Sequence, residues 1–290
     1  MRPRVSIVKG NNRRDNVRKA IELIADDVVQ SVAGKRIVVK PNFVSSSNQL
    51  ASSHVDQVRG ILDFFKESGH RKDIFIAEAA SGDTGKAFEH YGYELLIREY
   101  GVKLIDLNQG EYSIIPIRDY HGNRIDVRVS RLLFDKDIYL VSATRLKTHD
   151  VVVVTLVIKN IVMGSLLMPD KISVLQGIPQ TNRNIAALGK YVWPDLAVID
   201  GLEGMEGDGP SKGDPKHVGV AIAGRDALAV DRVCCEVMGV EFKKVGYLYY
   251  CQEMKLGEGE LKNIELIGEH LVNCITPFRL HRDVKKQYDW

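Results

Sequence analysis

The sequence predicts an α/β fold: a mostly parallel sheet with flanking helices and an inserted antiparallel hairpin. Short runs rich in β-branched residues alternate with amphipathic segments of helical period, a pattern typical of βαβ units. Strict apolar alternation over residues 113–129, interrupted by His121-Gly122-Asn123, predicts the hairpin. Because no internal repeat and no linker-like stretch divides the chain, we expect a single domain over residues 1–290.

The predicted elements follow one another in a regular order. Strands are predicted at residues 5–8, 36–40, 73–78, 102–107, 137–143, 196–200 and 217–223. Helices are predicted at residues 15–32, 53–68, 84–100, 182–191 and 227–238. The acidic, Gly-rich stretch near residues 200–215 is predicted to form a long loop between two core strands, and such loops often carry function.

Composition and charge exclude several classes of partner. Forty basic and thirty-eight acidic residues leave a formal net charge of +2, which gives no basis for a nucleic-acid or anionic-membrane partner. The longest apolar run, residues 151–158, is too short to cross a membrane, and the N-terminus lacks a signal pattern, so we expect a cytoplasmic protein. The four cysteines have no C-x-x-C spacing, so we expect no iron–sulfur cluster in this chain.

Polar residues follow several predicted core strands at their carboxyl ends. Open α/β sheets bind ligands in the crevice outside those ends. Cations also interrupt the apolar runs of residues 144–164, and ionised groups beside apolar runs are costly to bury without a partner. The candidate site residues are Lys40, Asn42, Ser81, Gly82, Lys147, His149, Lys159, Asn160, Asp200 and Glu203.

Two functions fit this set of residues. The first is an enzyme that performs acid–base chemistry on a small carboxylate or phosphate, with isomerase-, racemase- or lyase-like chemistry favoured over hydrolysis. His149 and Lys159 are its candidate catalytic residues, because histidine titrates near neutral pH. Asp200 and Glu203 either hold a divalent metal ion or orient the cations. The second function is a non-catalytic accessory protein that binds a small anion or a metal. The residues assigned to substrate binding are Lys40, Asn42, Lys147, Asn160, Ser81 and Gly82.

Several motifs carry a resemblance to the domain-of-unknown-function family 362. They are K-P-N at residues 40–42, R-L-K-T-H at 145–149, L-V-I-K-N-I-V-M-G at 156–164, D-G-L-E-G-M-E-G-D-G-P at 200–210 and A-G-R-D-A-L-A-V-D at 223–231. The resemblance covers nearly the whole chain, and the motif order is specific. Many members carry an appended ferredoxin-type domain, which implies a redox protein partner for a chain without those cysteines. The substrate and the oligomeric state stay open.

Residues 149–164 are also similar, over this short stretch, to the nickel-pincer lactate racemases. In those enzymes a histidine is followed ten residues later by a lysine that bears the cofactor, which is the spacing of His149 and Lys159. Sixteen residues after the lysine those enzymes have a histidine that ligates nickel, and this chain has Leu175. Because an aliphatic side chain cannot coordinate a metal, the sequence argues against nickel-pincer chemistry and leaves an anion-binding role for Lys159 open.

Overall fold

The structure, a computed structural model, describes residues 2–290 as strands and helices in alternation. The strands are β1 (Arg4–Lys9), β2 (Arg36–Lys40), β3 (Ile74–Glu78), β4 (Lys103–Asp106), β5 (Tyr112–Arg118), β6 (Arg124–Ser130), β7 (Ile138–His149), β8 (Val153–Thr155), β9 (Leu196–Glu206), β10 (Asp214–Gly224) and β11 (Glu265–Gly268). The helices are α1 (Arg13–Glu22), α2 (Ala25–Val32), α3 (Val55–Glu67), α4 (Thr84–His90), α5 (Leu95–Tyr100), α6 (Val157–Gly164), α7 (Lys171–Val174), α8 (Gly177–Gly189), α9 (Ala227–Met238), α10 (Gly246–Glu253) and α11 (Val284–Gln287).

One nine-stranded sheet forms the centre of the molecule. Its order is β11-β1-β10-β9-β7-β2-β3-β4, and β8 pairs with the end of β7. Neighbours along this path pair in parallel except at β10, which is antiparallel to both β1 and β9. β5 and β6 form a separate antiparallel hairpin. The predicted fold class, with its mostly parallel sheet and its hairpin, is therefore confirmed.

Apolar layers cover both faces of the sheet. Helices α1 to α5 pack on one face, and α6 to α10 pack on the other together with the hairpin. Successive side chains of β2 alternate between these layers, with Val38 in one and Ile37 and Val39 in the other. A parallel strand that is covered on both faces consists of a continuous run of apolar residues. This run is the reason why the sequence predicts β2. Within residues 2–290, no helix combines the length and the apolar character that a membrane crossing requires.

Strand β7 is longer than predicted, and this difference affects the site. The predicted strand ended at residue 143, whereas β7 continues to His149 and is buried along its whole length. The polar residues Arg145, Lys147 and His149 therefore lie on a core strand and not in a loop. Their register is fixed partly by β8, which pairs back on this extension.

The acidic stretch near residues 200–215 also differs from the predicted loop. β9 and β10 pair antiparallel up to Glu206 and Asp214, so that only residues 207–213 connect them. Most glycines in this stretch permit close packing, whereas Gly207, with a φ of +77°, begins the connection between the two strands. A Cβ at Gly204, for example, would lie 2.6 Å from the Phe278 ring and 2.9 Å from the Leu146 carbonyl oxygen. The glycine content that suggested a loop thus reflects the close approach of other parts of the chain.

Candidate functional site

The sheet has a topological switch point between β2 and β7, where the strand order reverses. From β2 the chain proceeds outward to β3 and β4, and it then returns to pair β7 on the other side of β2. Ligands of open α/β sheets bind at the carboxyl ends of the strands beside such a switch point. β2 ends there at Lys40 and β3 at Glu78, while β7 extends past both to His149. Most of the predicted site residues meet at this place.

Lys40 is completely buried, and its ammonium group is fully partnered. Its Nζ forms an ion pair with Glu78 and donates hydrogen bonds to the Pro41 carbonyl (2.9 Å) and to Asn160 Oδ1 (3.2 Å). An ammonium group has three N–H donors, so none remains for a ligand. Burial lowers the pKa of Lys40, and Glu78 acts against that shift. The second Glu78 oxygen accepts the backbone N–H of Phe43 at 2.9 Å.

Two side-chain amides connect Lys40 to Lys147. Asn160 Oδ1 accepts from Lys40 and also from Asn42 Nδ2 at 3.0 Å. Asn42 Oδ1 in turn accepts from Lys147 Nζ at 2.7 Å. Both asparagines are therefore held in place by partners inside the cluster. Together they connect Lys40 to Lys147 through a chain of hydrogen bonds.

Lys147 has fewer partners than Lys40. Its Nζ donates to Asn42 and, at 2.6 Å, to the Ala51 carbonyl, which leaves one N–H donor free. The residue is completely buried. Burial, followed by the positive charges of Arg145 and Lys159, places the pKa of Lys147 well below its ordinary value. Lys147 is thus held between two neutral acceptors, with no carboxylate among its hydrogen-bond partners.

Lys159 has no partner at all within residues 2–290. Its Nζ makes neither a hydrogen bond nor an ion pair there, although the residue is only 8% exposed. Burial lowers the pKa of Lys159 to about 8, with Asp150 opposing the shift and Lys171 adding to it. An ammonium group that is largely removed from water and has no protein acceptor is energetically costly, so Lys159 differs from the fully partnered Lys40.

Helix α6 positions Lys159 through contacts at both of its ends. At the N-terminus the backbone N–H groups of Val157 and Ile158 donate to the two oxygens of Asp231, at 2.9 and 3.1 Å. Asp231 is fully buried, and burial raises its pKa to about 8 against the effect of these hydrogen bonds. At the C-terminus, a Cβ on Gly164 would overlap the end of the Lys40 side chain. The last glycine of the L-V-I-K-N-I-V-M-G motif is therefore required by the packing of Lys40.

His149 is held as a neutral ring. Its Nδ1 accepts the backbone N–H groups of Val151 (3.0 Å) and Val152 (3.4 Å). Burial and then the charges of Lys159 and Lys147 place the pKa of His149 well below its ordinary value. Burial and the neighbouring cations disfavour the imidazolium form of His149, which argues against a role as the base that titrates near neutral pH. In the neutral tautomer Nδ1 is an acceptor, and the proton resides on Nε2.

The turn that follows His149 is strained and borders a cavity. Val153 has a φ of +67°, which a β-branched residue rarely adopts, and its N–H donates to Gln287 Oε1 at 2.8 Å. Asp150, in the same turn, has Oδ1 3.1 Å from His149 Nδ1. Asp150 also lines a cavity of about 320 Å³ together with residues 208–212 and His281. The cavity is therefore lined by Asp150, the residue that follows the buried His149.

Asp200 forms an ion pair with Arg13, and Glu203 lies near enough to Arg145 for its charge to act on that residue. Asp200 Oδ2 accepts from Arg13 Nε at 2.6 Å, and its Oδ1 accepts the Leu202 N–H at 3.0 Å. Both acids oppose the lowering of the Arg145 pKa that burial causes. Over the described part of the chain, no group of three or more His, Cys, Asp or Glu side chains is placed to hold a metal ion. These contacts favour the orienting role, and metal binding by the two acids stays a prediction.

Ser81 and Gly82 lie apart from the lysines. Both are exposed, and the Ser81 N–H donates to the Phe43 carbonyl at 3.2 Å. Gly82 has a φ of +141° and faces the side chain of Ser46. The predicted residues that the structure does bring together are Lys40, Asn42, Lys147, His149, Lys159 and Asn160. They form a buried cluster rather than the lining of an open cleft.

Three residues of this cluster were absent from the predicted site. Glu78 pairs with Lys40 and Asp231 anchors α6, and both stand in the sequence at the end of an apolar run. Lys171 donates to the Ala79 carbonyl, and burial lowers its pKa to about 8. Lys171 lies in a loop-rich stretch without a regular pattern, so no signal in the sequence marks it.

Comparisons with known proteins agree with the motifs. Residues 37–236 match the family described as domain of unknown function (DUF362). The thylakoid-associated protein sll1697 of Synechocystis sp. (strain ATCC 27184 / PCC 6803 / Kazusa) is 24% identical over 216 residues, which are 72% of this chain and 64% of that protein. The chain thus spans slightly less than two thirds of the length of that relative. A crystal structure of a Thermotoga maritima protein aligns with a TM-score of 0.38 and 11% identity, over 66% of this chain and 51% of that chain. The family match covers more than half of the sequence, and the protein belongs to the DUF362 family.

Proposed function

We propose that this protein is an enzyme that binds a small anion at Lys159 and uses Lys159 to transfer a proton. The observation that carries the proposal is Lys159, whose Nζ has no partner among the described residues although the residue is only 8% exposed, beside two lysines whose donors are largely or fully occupied. Removing a cation from water without an acceptor costs several kcal/mol in order of magnitude. A bound carboxylate or phosphate would supply the missing acceptor.

The charge balance of the cluster supports an anionic ligand. Glu78 is the carboxylate buried among these lysines, and its oxygens are occupied by Lys40 and by the Phe43 N–H. No carboxylate lies within ion-pair distance of Lys159 among the described residues. Lys171 adds a further positive charge on the same side. Positive charge therefore exceeds negative charge at the end of α6.

Proton transfer by Lys159 is supported by its pKa of about 8, since a base works best when its pKa lies near the operating pH. In the proposed step, the fraction of Lys159 that is neutral in the complex takes a proton from a carbon atom of the bound anion, and the electron pair of the broken C–H bond stays on the anion. His149 would donate its Nε2–H to the negative charge that develops. The ammonium then returns the proton, as in isomerases, racemases and lyases. His149 is thus a hydrogen-bond donor here and not the base that the sequence suggested.

Anion binding is tested by thermal unfolding of the wild type and of Lys159→Met in millimolar phosphate, sulfate and acetate, at matched ionic strength. Ligand binding to the native state raises the melting temperature, so we expect a rise of several degrees for the wild type with at least one anion and none for Lys159→Met. Lys19→Met is the matched control, because Lys19 is exposed on α1 and its loss changes the net charge equally. Equal responses of the wild type and Lys159→Met would overturn the proposal.

Catalysis is separated from simple binding by hydrogen exchange. The wild type, Lys159→Met and Lys19→Met are incubated in D₂O with small 2-hydroxy and 2-oxo carboxylates, and deuterium at the carbon-bound positions is followed by NMR. An enzyme of the proposed kind exchanges protons in the wild type and in Lys19→Met, but not in Lys159→Met. Anion binding without exchange of any of these acids would favour the accessory protein over the enzyme.

A further inference from the structure

A second cavity, which none of the clustered lysines lines, lies where the hairpin meets α8 and α10. It measures about 580 Å³, and its walls come from the end of β5, the start of β6, one side of α8 and the C-terminal end of α10. Three arginines line it, namely Arg118, Arg124 and Arg183. Within residues 2–290, no acidic side chain lines it. The cavity therefore has the size of a small-molecule site and a positive lining.

Hydrogen bonds join the walls of this arginine cavity. On α8 the buried Asn184 accepts the Arg118 backbone N–H at 3.2 Å and donates to the Arg118 carbonyl at 2.8 Å. Gln180 Nε2 donates to the same Asn184 oxygen at 2.9 Å. Arg183 Nε donates to the Tyr250 hydroxyl at 3.2 Å, and the guanidinium lies 5.8 Å from the centre of that ring. The hairpin and α10 are thus both attached to α8, and the cavity is formed before any ligand arrives.

The arginines of the cavity keep unused donors and uncompensated charge. A guanidinium has five N–H donors, of which Arg118 uses one on the Gly122 carbonyl (2.8 Å) and Arg183 uses one on the tyrosine hydroxyl. Neither of these two arginines forms an ion pair in the described part of the chain. Arg118 is also directly opposite Arg124 across the hairpin, and like charges in such a pair destabilise a sheet. Arg124 is paired with Asp126 at 2.8 Å, so the charge of Arg118 is the one that an anion would compensate.

The rest of the lining is largely apolar and consists of Pro116, Ile117, Ala187 and Met254 beside the tyrosine ring. Guanidinium groups bind phosphate oxygens in a bidentate manner, and two unpaired guanidinium groups match the double charge of a phosphate monoester. We infer that this cavity binds a small organic phosphate of mononucleotide size. Arg118 and Arg183 hold its phosphate group, and the apolar residues contact its body. The inference goes beyond the proposed function and does not depend on Lys159.

Calorimetric titration tests the inference with adenosine monophosphate and uridine monophosphate, at matched ionic strength. Adenosine and uridine are the counterparts without a phosphate. The titrated proteins are the wild type, Arg118→Gln, Arg183→Gln, Lys159→Met and a control, Arg98→Gln. Arg98 is exposed on α5, on the opposite face of the sheet, and its replacement changes the net charge equally. Circular dichroism of each variant verifies the fold.

We expect the wild type, Arg98→Gln and Lys159→Met to bind at least one nucleotide roughly tenfold more tightly than its nucleoside. Arg118→Gln and Arg183→Gln should each weaken the nucleotide roughly tenfold and leave the nucleoside unchanged. Inorganic phosphate, which lacks an apolar part, should bind these exposed arginines too weakly to raise the melting temperature.

Three results would overturn the inference. The first is the absence of nucleotide binding, or equal binding of nucleotide and nucleoside, in the wild type. The second is an unchanged nucleotide affinity in Arg118→Gln or in Arg183→Gln. The third is a loss of nucleotide binding in Lys159→Met alone, which would assign the phosphate to Lys159. None of the first two results would affect the anion site proposed at Lys159.

Discussion

Lys40 and Lys159 are buried in one cluster, yet their surroundings are opposite. Lys40 has an ion pair with Glu78 and all three donors occupied, whereas Lys159 has neither an ion pair nor a hydrogen bond among the described residues. Burial is therefore a poor guide to the role of a lysine in this protein. The number of occupied donors separates a lysine that holds the fold together from one that is available to a ligand.

The largest expected effect is that of Lys40→Met on stability. The change leaves the Glu78 carboxylate buried without its cation, and breaking a buried pair in this way costs on the order of 3–5 kcal/mol. Urea denaturation measures the loss. The double variant Lys40→Met/Glu78→Gln should recover part of it, because the uncompensated charge is removed. A single variant as stable as the wild type would show that Lys40 is not structural.

Lys159→Met should change stability in the opposite direction. At pH 7 the wild type holds a buried charge without a partner, and methionine removes that charge while keeping a similar apolar length. We expect the free energy of unfolding to rise by about 1–3 kcal/mol in the absence of anions. The same urea experiment tests this, with Lys19→Met expected to stay close to the wild type. A destabilised Lys159→Met would mean that Lys159 already has a stabilising partner.

The pH dependence of stability provides a further test of how Lys159 differs from Lys40. The pKa of Lys159 is lowered to about 8 in the folded state from 10.5, so between these values the unfolded chain binds a proton that the folded chain does not. The free energy of unfolding therefore rises with pH across this window, and this contribution is lost as the pH falls through about 8. One group contributes at most about 1.4 kcal/mol per pH unit.

Urea denaturation of the wild type and of Lys159→Met from pH 7 to pH 10 measures that contribution. The stability advantage of Lys159→Met should shrink as the pH rises, because the wild type alone sheds the buried charge. Curves that stay parallel over the whole range would contradict a lowered pKa of Lys159.

The smallest expected effect concerns nickel. The residue that corresponds in spacing to a nickel-ligating histidine is Leu175, whose half-exposed aliphatic side chain offers no donor atom. We therefore expect elemental analysis of the purified protein to find no stoichiometric nickel and chelators to leave its melting temperature unchanged. Stoichiometric nickel in the native protein would contradict this interpretation of Leu175.

The sequence predicts the fold better than it predicts the site. Alternating strands and helices indicate the parallel sheet, polar residues at strand ends indicate Lys40 and Lys147, and a cation within an apolar run indicates Lys159. Sequence alone does not show which lysine is paired, because Glu78 reaches Lys40 only once β2 and β3 are aligned in the sheet. The low pKa of His149 likewise depends on burial and on lysines that are brought near it by folding.

The most direct test of Lys159 as the ligand-binding lysine is the number of protons taken up when an anion binds. Calorimetry of sulfate binding at pH 8, in two buffers of different ionisation enthalpy, measures that number. Because the pKa of Lys159 is about 8, a bound anion should raise it, and the wild type should take up as much as about half a proton per sulfate. Lys159→Met should show neither the binding nor the uptake. Sulfate binding of equal strength in Lys159→Met, or wild-type binding without proton uptake, would contradict the role assigned to Lys159.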